Sequence, residues 1–301
     1  MSSIILNQIM VLFLIIIIGY ICSKAGIINK ETRGQLAKLI LFVTLPALVL
    51  VSFQMEFSAS MLNRAVYVFI FAILVHSISA VAGHFFYRTM KEDRQKVMKF
   101  VMVFSNCAFM GFPVLEALYG SKGIFLGSIY GVIFNFFLWT YGLMVFTGKR
   151  DFHTIKKALM NPGTISVVVG FILFLLSVKL PGPLFDMTEM VGHITMPLSM
   201  IIIGSVLADT KIRHTFSGIH IYLASFIRLI AIPVICMIVL KLLGFDSQLL
   251  GICVILVAMP AAVNTAIFSE LHGGDEVLSS RIIVLSTLLS AVTIPLLISF
   301  V

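Results

Sequence analysis

Two stretches of the chain combine proline with asparagine inside otherwise apolar runs. They read Ser105-Asn106-Cys107-Ala108-Phe109-Met110-Gly111-Phe112-Pro113 and Met259-Pro260-Ala261-Ala262-Val263-Asn264-Thr265. Proline in a helix interior removes an N–H and clashes with the preceding turn, at a cost of about 3 kcal/mol. Each run is therefore expected to break into two half-helices. At such a break the end of one half offers unpaired carbonyls and the start of the next offers unpaired N–H groups, with dipoles of opposite sign. An anionic group binds at the N-terminal ends, and Asn106 and Asn264 add neutral side-chain hydrogen bonds. Gly111, Pro113 and Pro260 shape the backbone there and complete the candidate substrate-binding set.

Arg228 stands inside another apolar run, five residues before Pro233. A guanidinium near the centre of a membrane span costs at least about 2.5 kcal/mol and seldom faces lipid. It reads as a counter-charge for an anionic substrate, or as a clamp on carbonyls at a half-helix end. Glu116, one turn beyond Pro113, is a candidate carrier of a coupling proton, or a solvated residue where Tyr119-Gly120 ends the helix. His76 and His193 lie mid-pattern in their runs and read as proton relays, or as histidines hydrogen-bonded to a neighbouring helix. Gly123, Gly127 and Gly131 form overlapping G-x-x-x-G units, a spacing that serves internal helix packing or a homodimer contact. Glu270, His272, Asp275 and Glu276 have no common metal-site spacing, and Gly273-Gly274 marks a turn among them.

Of the 301 residues, 60% are apolar and 11% charged, against roughly 45–50% and about 25% in soluble domains. This excludes a soluble globule. The net charge of +8 has too few carriers to coat a surface for nucleic acid. The four cysteines lie in or beside apolar runs without C-x-x-C spacing, so neither a disulfide framework nor a zinc site is expected. Nucleotide-binding and zinc-peptidase motifs and a paired intramembrane aspartate are absent from the sequence, which points away from an enzyme and implies no cofactor.

Ten runs are long enough to be membrane spans: 4–22, 34–54, 65–87, 97–118, 123–147, 162–178, 188–208, 217–241, 248–270 and 277–299, each judged against the about 20 apolar residues that cross a bilayer core. The first has no basic residue before it and no convincing cleavage site, so it reads as a retained span. The odd-numbered connections and their flanks carry Lys24, Lys30, Arg33, Lys38, Arg88, Lys91, Arg94, Lys96, Lys99, Lys149, Arg150, Lys156, Lys157, Lys211, Arg213 and Arg281, while the even-numbered ones hold only Arg64, Lys122, Lys179 and Lys241. The odd connections are therefore expected in the cytoplasm, with both termini outside the cell membrane.

The halves superpose in sequence at an offset of 151. Gly19-Tyr20 then falls on Gly170-Phe171, Val43-Thr44-Leu45-Pro46 on Ile194-Thr195-Met196-Pro197, and Pro113 on Asn264. Ten spans divide five and five, and an odd number inverts the second copy. The reading is an all-α membrane protein: a five-span repeat over 1–147, a short cytoplasmic connector over 148–161 and an inverted repeat over 162–301. Spans four and nine are expected to be broken and to cross at the midplane. Inverted repeats are a hallmark of secondary transporters. A bundle of spans three to five and eight to ten is expected to move against the other four, with Pro46 and Pro197 as structural kinks. A channel would want rings of charge or a carbonyl filter, and nothing in the sequence repeats to build one; a membrane receptor or scaffold would not need paired broken helices.

At these residues the chain resembles the auxin efflux carrier family, which includes plant PIN-type carriers and bacterial organic-anion permeases. The resemblance covers nearly the whole length. It rests on Gly19-Tyr20, Leu45-Pro46-Ala47, Asn106-Cys107-x-Phe109-x-Gly111-x-Pro113 and Asn161-Pro162. It continues through Pro181-Gly182-Pro183-Leu184, Pro197, Arg228 with Pro233, Met259-Pro260-x-x-Val263-Asn264 and Gly273-Gly274-Asp275. It implies a ten-span inverted-repeat fold with spans four and nine unwound and crossing. It also implies carriage of small organic anions such as indole-3-acetate, malate or malonate. Sodium- or proton-coupled symport of a related substrate is the neighbouring reading. Ala108 stands where the family resemblance leads one to expect glycine, and the connector is far shorter than the central loop of long plant carriers.

Overall fold

The computed structural model describes residues 2–148, 160–209 and 218–301. The connector charges Lys149, Arg150, Lys156 and Lys157, and Lys211 and Arg213, lie outside the described residues. The named elements are all helical. They are α1 (Ser2–Lys24), α2 (Lys30–Leu39), α3 (Leu45–Ser52), α4 (Ala59–Phe86), α5 (Glu92–Val103), α6 (Phe112–Phe137), α7 (Leu143–Thr147) and α8 (Pro162–Leu175). There follow α9 (Gly182–His193), α10 (Thr195–Asp209), α11 (Ile219–Phe226), α12 (Ile232–Leu242), α13 (Ser247–Ala258), α14 (Asn264–His272) and α15 (Glu276–Ile298). Helices dominate because hydrocarbon offers no partner for a backbone N–H or C=O, and a helix satisfies both within itself.

Seven helical stretches among the described residues are long and apolar enough to cross a membrane, against the ten runs read from sequence. The difference falls on the fourth, sixth and ninth runs. The fourth is split after α5, and its remainder joins the fifth in one helical stretch, Cys107–Thr147, interrupted at Gly120 with φ 56° and ψ −146°. The sixth, α8, has 14 residues and rises about 21 Å. The ninth is divided into α13 and α14, of 12 and 9 residues, each too short alone for a core of about 30 Å.

Polar caps mark where the chain turns. Asn29 accepts from the Thr32 N–H, Asn161 from Gly163, Asp246 from Gln248 and Leu249, and Asp275 from Leu278. Each satisfies one or two of the donors that a helix start leaves open.

Among the described residues, three of the four π-helical turns stand directly before a proline-bearing helix. Ile40–Thr44 precedes Pro46, Cys107–Gly111 precedes Pro113, and Ile227–Ala231 precedes Pro233. In each, the carbonyl four residues before the proline, at Phe42, Phe109 or Leu229, belongs to the middle residue of the π turn. That is the carbonyl a proline ring would strike in a regular helix, and the widened turn moves it aside.

The chain forms two compact units, each discontinuous in sequence. The first comprises 1–69, 108–132 and 159–209; the second comprises 70–107, 133–158 and 210–301. Within the first, α1 lies along α10 at close range. A Cβ on Gly19 would run into the backbone of Ile201, and one on Gly204 into the backbone of Ile16. In the same unit α8 approaches α3, where a Cβ on Gly170 would meet the ring of Phe53. Lys24 Nζ donates to Ala208 O at 2.7 Å and Arg33 Nη1 to Ser205 O at 3.1 Å, placing cations at the negative end of α10.

The second unit is built around α5, α11 and α15. Val97, Met98, Val101, Met102, Ile221, Ala224, Ala261, Ile282 and Ile283 bury against one another. An aromatic group extends this core through Phe100, Phe104, Phe146 and Phe268. Burying each aromatic side chain contributes roughly 1.5–3 kcal/mol relative to leaving it in water.

Candidate functional site

The two proline–asparagine stretches meet in the second unit. Helix α5 ends at Val103, and Phe104 is extended at φ −104° and ψ 111°. Helix α13 ends at Ala258, and Met259 is extended at φ −64° and ψ 148°. Ser105 and Ala261 then form a single antiparallel bridge. The Asn106 N–H donates to Pro260 O at 2.8 Å, and the Ala262 N–H donates to Phe104 O at 3.2 Å. The backbone groups freed by one break are thereby satisfied by the other, as burial in an apolar interior demands. Two serines complete the joint: Ser105 Oγ donates to Leu256 O at 2.8 Å, and the Ala261 N–H donates to Ser286 Oγ at 3.1 Å.

The break in the earlier stretch lies ahead of its proline. Unwinding occurs at Phe104–Asn106, where serine and asparagine favour local non-helical hydrogen bonding. Pro113 is instead accommodated by the π turn and sits at the second position of α6. In the later stretch the break coincides with Pro260.

Arg228 is 2% exposed. Its Nη1 donates to Met102 O at 3.2 Å, and its Nη2 donates to Val257 O. Met102 and Val257 are the penultimate residues of α5 and α13. One guanidinium thus caps the C-terminal ends of both helices that lead into the bridge. Its planar fork suits this, since it presents several donors in fixed directions. The π turn Ile227–Ala231 carries Arg228 and is followed by Pro233.

Beyond the bridge, Asn264 is half-buried and begins α14, while Asn106 is buried and uses its backbone N–H in the bridge. Beside Asn264, Thr265 is fully buried and its Oγ1 has no hydrogen-bond partner among the described residues. Ser105, Ser286 and Thr265 are the site residues that sequence reasoning missed. Serine and threonine are too common in helices to stand out, although Asn264-Thr265 at a helix start could have marked the last of them. Of the expected set, Asn106 and Pro260 are joined directly, and Arg228 and Asn264 belong to the same unit. Gly111, Pro113 and Glu116 belong to the other unit.

In that first unit His193 Nδ1 donates to Glu116 Oε1 at 2.8 Å. Thr195 Oγ1 donates to Thr44 Oγ1 at 2.9 Å, with both residues buried. Pro46 and Pro197 fall in the first turns of α3 and α10, each just after a departure from regular helix. Pro197 follows the turn at Ile194, where the missing N–H of a first-turn proline removes no intrahelical bond, whereas Pro46 lies in a continuous helical run and is admitted by the π turn before it. The glycine stripe faces inward at its first two members, because a Cβ on Gly123 or Gly127 would collide with Leu115. That face is occupied within the unit and leaves no open dimer surface there.

His76 is buried in the second unit with Nδ1 2.7 Å from Ala72 O and its ring among Phe104, Phe134 and Phe137. This is the geometry of a histidine hydrogen-bonded along its own helix. Asp275 caps α15 and pairs with Arg94 at 3.3 Å.

A sequence model of the family described as "Membrane transport protein" matches residues 4–298. An uncharacterized transporter of Methanocaldococcus jannaschii is 22% identical over 302 residues, covering 97% of each chain. An uncharacterized transporter of Methanothermobacter thermautotrophicus is 23% identical over 286 residues, covering 94% of this chain and 93% of its own. The uncharacterized transporter YfdV of Escherichia coli is 23% identical over 292 residues, with 90% and 89% covered. The resemblance to auxin efflux carriers read from the motifs is borne out at the level of the family.

Proposed function

Because this chain belongs to the membrane transport protein family, we propose that it is a secondary carrier of small organic anions working by alternating access. The observation that carries the anion assignment is the position of Arg228. Where two broken helices meet, two C-terminal ends contribute negative potential and two N-terminal ends contribute positive potential. Arg228 covers both C-terminal ends, through Met102 O and Val257 O. The potential left uncompensated belongs to the starts of the helices after the breaks, where Asn264 and Thr265 stand. A carboxylate fits such an environment and a cation does not. Arg228 acts as a positioning residue, with two of its donors on carbonyls, while Asn106, Asn264 and the backbone at Pro260, all in the second unit, receive the substrate.

The inverted-repeat reading, with five-span halves over 1–147 and 162–301, is supported by the hydroxyl pair. Thr44 and Thr195 are separated by 151 residues, the offset at which the halves superpose. Residues equivalent under a two-fold axis touch only where the axis passes between them. The glycine contacts join corresponding helix pairs, α1 with α10 at Gly19 and Ile201 and α8 with the end of α3 at Gly170 and Phe53, the latter three residues past Leu50, the counterpart of Ile201. On this reading the stretches α5 to Tyr119 and α13 to α14 are the broken fourth and ninth spans of ten. Pro46 and Pro197 belong to the static part. Malate, malonate and auxin-like carboxylates are the substrates that the resemblance favours.

The test is flux of labelled malate through proteoliposomes under an imposed membrane potential, with Asn264→Ala run alongside. The expected result is flux that follows the potential and falls in the variant. Potential-independent flux, or full flux in the variant, overturns the assignment of the site.

A further inference from the structure

We propose that Glu116 and His193 form a proton-binding site through which anion carriage is coupled to a proton. The inference rests on the carrier reading above, but its observations come from another part of the molecule. Glu116 lies three residues after Pro113, on the turn of helix that Gly120 ends; His193 is the last residue of α9, next to the interruption at Ile194 that precedes Pro197.

The two side chains differ in access. The Glu116 side chain is 12% exposed and that of His193 is 61% exposed. One carboxyl oxygen, Oε1, accepts from His193; the other, Oε2, is buried with no hydrogen-bond partner among the described residues. A bare carboxylate oxygen sealed from water is costly, and a protonated one costs far less. A lysine or arginine in the place of His193 would offer donors only, whereas a neutral imidazole has one donor and one acceptor nitrogen and can take a proton at one while giving one up at the other.

The surroundings leave the pair to itself. Among the described residues, the Glu116 carboxyl is paired with His193 at 2.8 Å. The other titratable residues nearby in sequence are Tyr119 and Lys122 beyond Glu116, and Asp186 and Glu189 on α9, with Glu189 one turn before His193. Of the helices packed against α9, α3 carries no titratable residue and α10 carries only Asp209, at its far end.

A proton from water adds to one nitrogen of the exposed imidazole, and the proton on Nδ1 passes to Oε1. The imidazole returns to neutral, the carboxyl becomes a neutral acid, and one proton has been added. Release runs the same steps backwards. A dicarboxylate carried with that proton moves one net negative charge instead of two, so its flux still follows the membrane potential while a negative interior opposes its uptake half as strongly.

The test is an infrared pH titration of the purified protein in lipid nanodiscs, from about pH 5 to 8, comparing wild type, Glu116→Gln and His193→Gln. The expected result is a protonated-carboxyl stretching band that titrates in wild type, is lost in Glu116→Gln and titrates at a displaced midpoint in His193→Gln. A wild-type spectrum without such a band, or one unchanged in Glu116→Gln, overturns the proposal. His193→Gln alters an exposed side chain, so its midpoint decides the matter even if Glu116→Gln fails to fold. Labelled malate uptake driven by a pH gradient is the second arm. Its loss in Glu116→Gln, with malate exchange at equal pH retained, supports coupling; gradient-driven uptake that survives in Glu116→Gln overturns it. Absence of wild-type malate flux at any pH would count against the carrier reading, while the infrared titration still decides the proton site.

Discussion

At the scale of single residues, Arg228 shows how a charge is kept inside an apolar molecule. Its guanidinium is buried, and two of its donors go to carbonyls that end separate helices. Hydrogen bonds to a charged group contribute about 1.5–3 kcal/mol each, so losing both is severe. Arg228→Gln is expected to destabilise the protein by roughly 3–6 kcal/mol, read as a lowered melting midpoint in detergent. Arg228→Lys is expected to fall nearly as far, because an ammonium keeps the charge but lacks the fork that reaches two carbonyls at once. A melting midpoint in Arg228→Lys equal to wild type would return Arg228 to the role of a bare counter-charge. The sequence marked Arg228 because a buried guanidinium is expensive wherever it occurs. It could not name Met102 and Val257 as partners, since carbonyl acceptors exist at every residue and only the fold chooses among them. Glu116 and His193 were likewise visible singly; their pairing across 77 positions leaves no local trace.

At the scale of elements, the legible features were those with a strong local cause. Apolar runs became helices, and Pro260 ended α13 where expected. The break before Pro113 came earlier than its proline, because a π turn supplied another way to admit the ring. The π turns themselves were not legible, since the extra residue in each is defined by hydrogen-bond register and not by residue type. Gly120 is the clearest case of an element boundary set by backbone chemistry. Its φ of 56° and ψ of −146° lie where a side chain is strained by about 1–3 kcal/mol. A Cβ there meets nothing within 4 Å, so Gly120→Ala isolates the backbone term. The expected outcome is a stability loss of that order by thermal melting; an unchanged midpoint would mean that the turn relaxes.

At the scale of the whole molecule, composition alone separated this chain from soluble proteins, and charge placement gave an orientation. The short helices α8, α13 and α14 lie where the ten runs read from sequence exceed the seven long apolar stretches among the described residues, since each alone is too short for a core of about 30 Å. Orientation has its own test in a background freed of Cys22, Cys107, Cys236 and Cys253. A cysteine at Glu92 is expected to be protected from an impermeant maleimide applied outside intact cells, and one at Lys179 is expected to be labelled. The opposite pattern would invert the topology.

The hydroxyl contact between Thr44 and Thr195 carries a consequence for residue choice on the inverted-repeat reading. A residue bonded to its own copy is what a symmetric dimer places on its axis, where one side-chain type must be both donor and acceptor. A hydroxyl can be both, and an ammonium or carboxylate cannot. On that reading, replacing either threonine by a charged residue would set that charge against the other, buried hydroxyl, so this one position of the repeat is held to side chains that can bond their own kind.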